Sequence, residues 1–350
     1  MRLSSVDKLY VLRSYEESRH ELYGKDIFIT GGTGFIGKWM VASILALIDE
    51  GSLDCRITIL SRNAHEFILK HPYIGLHKAV RTIEGDVRNL VAGIERYDYV
   101  IHAATDVLSP LSETQTLNVC ALGTRSALRF AEQTGARVFL LVSSGAIYGS
   151  DASALTKIPE AHVPSDLDDI NDSAYARGKR IAEKIAREYQ QNSTLNVVVA
   201  RCFSFIGPHM GMDAHFAAGN FIMDALTGDE IHIKGDGTPL RTYLYSAELA
   251  YWLWMILLKA GDGDIYNVGG EEIISIVELA HIVAALLNPK AKVLVHRQPI
   301  LKEPRHRYVP DTRLIKKKLA LTQEIHIDEG ITRTAMWLQQ KNKLSKGLPN

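Results

Sequence analysis

Tyr175 and Lys179 stand four residues apart in the run Tyr175-Ala-Arg-Gly-Lys179. On a helix, that spacing puts a phenol and an ammonium on one face. A cation beside a phenol stabilises the phenolate, drawing its pKa down from the ordinary value near ~10. Such a tyrosine can take a proton from an alcohol as hydride leaves the carbon, or return one in the reverse direction. The pattern is cheap by itself, and its weight comes from position. It follows Leu141-Val-Ser-Ser-Gly-Ala-Ile-Tyr-Gly149, and both follow a glycine-rich turn, Gly31-Gly-Thr-Gly-Phe-Ile-Gly37. Gly31, Gly34 and Gly37 are spaced as G-x-x-G-x-x-G between a strand-like run and a helix-like run. The first glycine permits a tight turn, the second lets backbone approach a pyrophosphate, and the third packs helix on strand. The helix amides and dipole then face the phosphates.

The end of the second strand discriminates between coenzymes, because an acidic residue there would accept from a ribose 2′-hydroxyl. This chain has Leu60-Ser61-Arg62 instead. A hydroxyl followed by a guanidinium suits a 2′-phosphate, so NADP(H) is favoured and NAD(H) is the other candidate. Asp86, in Gly85-Asp-Val87, is positioned to accept from an adenine amino group.

The elements that must carry these residues follow a βαβα rhythm. Strands are expected at Asp26–Thr30, Arg56–Leu60, about 79–84, Tyr97–Ile101, Arg137–Val142 and Leu195–Ala200, and helices at Phe35–Asp49, Leu117–Gln133 and Ser173–Gln190. Near-continuous apolar strands alternating with helices indicate an α/β protein, with a Rossmann-type doubly wound parallel sheet. The expected division is an amphipathic N-terminal helical extension at 1–24 stopped by Gly24, a Rossmann domain at 25–200, and a smaller C-terminal substrate-binding lobe at 201–345 with segments returning to the first domain.

Together, Thr30-Gly31-Gly-Thr-Gly34-Phe-Ile-Gly37, His102-Ala-Ala104, Asn118, Ser143-Ser144-Gly-Ala-Ile-Tyr-Gly149 and Tyr175-x-x-x-Lys179 resemble an extended short-chain dehydrogenase/reductase. More narrowly, the chain resembles the nucleotide-sugar epimerase/dehydratase family over residues 25–340. Gly207-Pro208, Gly235-Asp-Gly-Thr-Pro-Leu-Arg241-Thr-Tyr243 and Tyr266-Asn-Val-Gly269 agree with that family's substrate lobe. The resemblance implies a dinucleotide site of Gly31, Thr33, Gly34, Phe35, Ile36, Gly37, Ser61, Arg62, Asp86, Val87, Ala103, Ala104, Asn118, Tyr175 and Lys179. It implies that Ser144 holds the reacting oxygen, Tyr175 is the acid/base, and Lys179 holds the nicotinamide ribose. Ser204, Arg241 and Arg307 would face a nucleotide diphosphate sugar, with Arg241 on the diphosphate. A homodimer is also implied.

Two departures bear on the reaction. Dehydratases and decarboxylases of the family place an acid one or two residues after the Ser/Thr, where this chain has Gly145 and Ala146. That favours hydride transfer at C4, as an epimerase or 4-ketoreductase. A 4,6-dehydratase or decarboxylase would need a relocated acid, for which Asp168, Asp169 and Asp172 are candidates. The second departure is Ser204, where many relatives have asparagine. A non-enzymatic NADP(H)-sensing protein is the remaining alternative, weakened by retention of Ser144, Tyr175 and Lys179.

Composition excludes other classes. The 350 residues are 46% hydrophobic and 23% charged, and 40 basic side chains balance 40 acidic ones. A nucleic-acid partner would call for a basic excess. The most apolar run, Tyr251–Leu258, is too short to span a bilayer and reads as a buried helix. Cys55, Cys120 and Cys202 make neither a disulfide framework nor a zinc pattern, and the histidines show no ligand spacing, so no metal is expected. A soluble, cytoplasmic chain is expected. His102 reads as structural, while His209 and His215, flanking Met210-Gly-Met-Asp213, are candidate substrate contacts.

Overall fold

A computed structural model describes residues 1–105, 111–166, 172–212, 216–298 and 305–346. The chain opens with helix α1 (Ser5–Ser14) and a 3-10 turn at Arg19–Leu22. It continues through β1 (Asp26–Thr30), α2 (Phe35–Asp49), β2 (Arg56–Ser61), the short helices α3 (Ala64–Lys70) and α4 (Pro72–Gly75), and β3 (Val80–Glu84). Then come β4 (Tyr99–His102), α5 (Glu113–Gln133), β5 (Val138–Ser144), α6 (Ala174–Gln191) and β6 (Asn196–Cys202). The second half holds β7 (Phe205–Ile206), α7 (Ala217–Thr227), β8 (Glu230–Ile233), β9 (Leu240–Arg241), β10 (Leu244–Tyr245), α8 (Ser246–Lys259) and β11 (Ile265–Val268). It ends with β12 (Ile274–Ser275), α9 (Ile276–Leu287), β13 (Lys292–Val295), β14 (Arg307–Tyr308), α10 (Arg313–Leu319) and α11 (Ile327–Lys346).

Seven parallel strands form one sheet in the order β11-β6-β5-β4-β1-β2-β3. The order reverses between β1 and β4, which opens a crevice at their carboxyl ends. The inner strands are buried on both faces, which is why they read as continuous apolar runs. The second half returns β11 to this sheet. It builds three smaller sheets besides: β7 with β10, β8 with β13, and β9 between β12 and β14.

The apolar run 251–258 lies in α8, whose Trp252 and Trp254 are fully buried. Each such side chain contributes roughly 1.5–3 kcal/mol or more of burial free energy. Among the described residues no helix is long and apolar enough to cross a membrane. All three cysteines are buried and free.

Residues 1–24 hold helix α1 and the 3-10 turn ahead of β1, and both pack into the main core. Helix α1 stops at Ser14, and Val11, Tyr15 and Leu22 have no exposed surface, joining the main core with α2 and α8. Gly24, at φ +70° just past the C-cap Tyr23, ends the 3-10 turn and leads the chain into β1. Strand β4 starts at Tyr99 rather than Tyr97. The Tyr97 ring instead packs on Phe28 and Phe130, with centroids 5.2 and 5.7 Å away. Its hydroxyl donates to Thr58 Oγ1 at 3.3 Å.

Candidate active site

The glycine turn closes tightly on its neighbours. A Cβ on Gly31, at φ +74°, would lie 2.5 Å from the Ala103 carbonyl carbon and 2.7 Å from the Ala104 nitrogen. A Cβ on Gly37 would lie 2.5 Å from Gly32 Cα. The residues just after β4 therefore press on the turn from one side and α2 from the other, at distances only glycine permits. Gly34 is the N-cap of α2 and supplies no side-chain hydrogen bond, and the first turn, with Phe35 and Ile36, carries no acid. Its amide donors are thus left for an anion, and the residues present fit the pyrophosphate of a dinucleotide. Thr33 and Gly34 are accessible on the turn.

At the adenosine end, Ser61 closes β2 and accepts from the Asn63 amide at 3.2 Å. Arg62 is exposed beside it, and its charge helps hold the Asp86 carboxyl below its usual range. The larger cause is Arg88, whose guanidinium grips that carboxylate at 2.6 and 2.9 Å. Asp86 therefore stands at the expected strand end, with its acceptors already engaged by Arg88. Val87 is buried against Gly123 of α5, and Asn118 is exposed on the same helix. His102 is fully buried, 2.8 Å from Thr30 Oγ1 and 3.3 Å from Thr124 Oγ1. Burial lowers its pKa to about 3, so it is a neutral structural link between β1, β4 and α5.

Ser144 ends β5, Tyr175 opens α6 and Lys179 follows one turn later. The structure brings the three together: the Ser144 hydroxyl acts on the Tyr175 phenol to favour its ionised form, and Lys179 Nζ lies 5.7 Å from the Tyr175 ring centroid. The ammonium donates to the Val142 carbonyl at 2.7 Å and is itself held below its ordinary pKa by burial. Tyr175 does not have the depressed pKa expected from its spacing to Lys179. Burial pushes the phenol well above its ordinary value, outweighing the opposing action of Ser144.

A buried network braces this centre. Arg201 binds Glu183 through Nη2 at 2.7 Å and donates from Nη1 to Tyr148 Oη at 2.9 Å. Glu183, four residues after Lys179 on α6, also accepts from Ser143, next to Ser144. Tyr148 in turn donates to Asn267 Oδ1 at 2.7 Å, reaching β11.

The substrate-side candidates separate. Arg241, on β9, is largely enclosed and donates to the Leu240 carbonyl at 2.8 Å. Among the described residues no carboxylate pairs with it, and burial lowers its pKa. An enclosed guanidinium of this kind is disposed to receive an anion. Its cross-strand partner on β14 is Tyr308, whose ring lies under the guanidinium at 5.6 Å. Neighbouring strand residues face opposite ways, so Arg307 is on the other face of β14 and does not share that position. Ser204 is half-buried after β6, and its carbonyl accepts from the Leu244 amide at 3.1 Å.

His209 is not disposed as a substrate contact. Its ring packs between His71 and Trp337, with centroids 6.1 and 4.5 Å away, and burial takes its pKa to about 3. His215, Asp168 and Asp169 lie outside the described residues. Asp172 is engaged by Arg180 in a tight ion pair. No cluster of metal-ligating side chains occurs among the described residues.

Sequence reasoning missed Tyr308 and Phe203. Their ring centroids lie 4.6 Å apart, and a Cβ on Gly145 would meet Phe203 Cζ at 2.7 Å and Tyr308 Oη at 2.8 Å. The available signal was Gly145 itself, a residue without a side chain where an acid was expected.

A β3-β2-β1-β4-β5-β6 parallel order, a glycine turn at the switch point and an uncapped helix define a dinucleotide-binding α/β enzyme fold. The chain belongs to the NAD dependent epimerase/dehydratase family, which it matches over residues 27–269. That family comprises nucleotide-sugar modifying, NAD-dependent enzymes. The chain is 28% identical over 310 residues to UDP-glucuronic acid decarboxylase 3 of Arabidopsis thaliana, covering 87% of this chain and 86% of that one. It is likewise 28% identical over 327 residues to UDP-glucuronic acid decarboxylase 1 of Xenopus tropicalis, covering 91% and 73%. Its fold is shared with UDP-glucose 4-epimerase of Thermotoga maritima, at TM-score 0.76, 20% identity and coverage of 91% and 99%. It is also shared with a dTDP-glucose 4,6-dehydratase of Streptomyces venezuelae, at TM-score 0.75, 22% identity and coverage of 91% and 98%.

Proposed function

We propose that the protein transfers hydride at C4 of a nucleotide diphosphate sugar, as an epimerase or a 4-ketoreductase, with NADP(H) favoured over NAD(H). The observation that carries this reading is the meeting of Ser144 and Tyr175 over Lys179, with glycine and alanine at 145 and 146. A bound nicotinamide coenzyme supplies the hydride acceptor or donor. Ser144 donates a hydrogen bond to the reacting sugar oxygen and fixes its place. Tyr175 takes the hydroxyl proton in the oxidative direction and returns it to the carbonyl oxygen in the reductive one. Lys179 supplies positive charge beneath the phenol. Arg241 receives the diphosphate as a bidentate fork. Expulsion of a hydroxyl needs a further proton donor, and neither Gly145 nor Ala146 offers one.

Decarboxylation is the second reading, favoured by the matches to UDP-glucuronic acid decarboxylases. Oxidation at C4 makes a β-keto acid, whose loss of carbon dioxide needs the 4-keto oxygen held by donors and no acid on a departing hydroxyl. Incubating the protein with UDP-glucuronate, UDP-glucose or dTDP-glucose, with each coenzyme in each redox state, separates the readings by product. A C4 epimer, or a 4-keto sugar that keeps its six carbons and its water and forms one for one with reduced coenzyme, supports the first, and released carbon dioxide with a pentose supports the second. Tyr175→Phe should lower turnover by at least ~100-fold with folding intact. Undiminished turnover would refute both.

A further inference from the structure

Basic side chains from four separate parts of the chain gather beside the start of α2. Lys38 lies one turn beyond Gly34 on α2, and its amide donates to the Gly34 carbonyl. His71 is the C-cap of α3, His209 follows the turn after β7, and Lys341 belongs to α11. The His209 ring lies 6.1 Å from that of His71 and 4.5 Å from that of Trp337, and Lys341 Nζ stands 5.5 Å over the Trp337 ring. Trp39, next to Lys38, donates to the Pro208 carbonyl at 2.8 Å and so holds the His209 loop against α2.

This gathering carries no compensating acid. Lys38, His71 and His209 are half-buried and Lys341 is exposed. Among the described residues none of the four side chains has an ion-pair or hydrogen-bond partner. The charges that act on the first three are those of one another, Lys341, Lys70 and the chain's amino group, all positive. Burial first, and then this repulsion, lower the Lys38 pKa and take His71 and His209 to about 4 and about 3. Half-buried cations that face one another without an acid cost stability.

The donors that remain define what would relieve that cost. At neutral pH each imidazole is uncharged and keeps one N–H, while each ammonium has three hydrogens to give. A phosphate carries about two negative charges and has strong acceptor oxygens on several sides. A carboxylate carries one charge and accepts in a single plane. The tetrahedral ion is therefore the better match to donors arriving from four directions.

We infer that Lys38, His71, His209 and Lys341 form a binding site for a small phosphate-class oxyanion, which fastens the loop after β7 and helix α11 to the coenzyme-binding half of the chain. The site is distinct from the glycine turn and from Arg241, and it does not rest on the reaction proposed above.

The test uses full-length wild type, Lys38→Met, His209→Asn and Arg241→Met, each with excess NADPH or NADH to occupy the glycine turn. Asparagine is chosen at 209 because that residue sits at φ +68°, which asparagine tolerates. Inorganic phosphate and glycerol 3-phosphate, a free ion and an ester, are titrated into each protein by calorimetry. Wild type should bind at least one with a Kd of about 1 mM or tighter, and the tighter ligand names the source. Lys38→Met and His209→Asn should each weaken that binding about tenfold or more, and Arg241→Met less than about twofold. No binding by wild type up to about 10 mM, or a loss that follows Arg241 rather than Lys38, overturns the inference. Thermal unfolding of the same proteins gives a second readout. Without phosphate, Lys38→Met should melt about 1 °C or more above wild type, because it removes an unpaired ammonium and keeps the stem. About 10 mM phosphate should raise wild type by about 1 °C or more and leave Lys38→Met nearly unmoved. A Lys38→Met protein that melts below wild type without phosphate, or equal rises in the two, overturns the inference. Neither readout needs a sugar substrate, so failure of the proposed reaction leaves this test standing.

Discussion

Coenzyme choice turns on a few atoms at the end of β2. Ser61 is buried there with its hydroxyl turned to Asn63, and Arg62 is exposed beside it. An exposed guanidinium gains little from a ribose hydroxyl but forms a charge-assisted pair with a 2′-phosphate. The pull between Arg62 and Asp86 is shared with Arg88, which leaves the Arg62 fork able to turn to a ligand. Arg62→Ala should therefore weaken NADPH binding about tenfold, by fluorescence titration, while NADH binding changes less than about twofold. Equal weakening of both would place Arg62 on the shared part of the coenzyme instead. The same scale shows why the Tyr175–Lys179 spacing was legible and its electrostatics were not. Four residues on a helix fix which side chains neighbour one another, but desolvation depends on what encloses them. Here the enclosing groups include Cys202 from β6 and Tyr308 from β14, distant in sequence and each raising the Tyr175 pKa.

Helix α2 depends on the absence of side chains as much as on their presence. Its face toward the sheet carries Gly37, and the helix continues into an apolar stretch buried from Trp39 to Ile48. Trp39 donates to the Pro208 carbonyl at 2.8 Å, tying the helix to the turn after β7. Gly37→Ala adds a methyl where backbone already stands, so helix and glycine turn must part. The expected outcome is a melting temperature lower by roughly 2–4 °C or more, together with loss of dinucleotide binding. Intact binding would mean the turn tolerates a wider gap than its packing indicates. The glycine turn was readable because its chemistry is local. Apolar periodicity starts α5 only at Leu117, whereas Ser112 and Gln115 form a capping box that starts it at Glu113. Helix α1 is legible as helical ahead of β1, but its packing is not. Its buried side is decided by α2, α8 and α11, which no local pattern reveals, and Asp7 looks like a surface acid until Arg333 Nη1 is found 2.8 Å away.

At the scale of the whole molecule, the two ends of the chain are fastened to the sheet through α8. Tyr245, at the N-cap of α8, donates to Asp7 Oδ1 at 3.0 Å, and Arg333 of α11 stacks over its ring at 5.2 Å. One turn on, Glu248 is fully buried and accepts from the Glu324 and Ile325 amides at 2.5 and 3.2 Å, fastening the approach to α11. Its other oxygen, Oε2, has no partner among the described residues, and burial raises its pKa to about 7 from an ordinary 4.5. Glu324 opposes its ionisation further, and Arg333 only partly offsets this. A folded-state pKa above the unfolded one means the native state holds the proton more tightly. Its contribution to stability is therefore complete below about 4.5 and is lost as pH rises through about 7. Glu248→Gln removes that titration and keeps an oxygen for the two amides, at the cost of placing an amide nitrogen beside the unpartnered position. Measured against wild type, its melting temperature should shift upward by roughly 2–4 °C between pH 5 and pH 8. Other titrating groups cancel in that difference. A difference independent of pH would show that Glu248 is already ionised in the folded protein, with the tether between α8 and α11 then relying on charge rather than on a neutral acid.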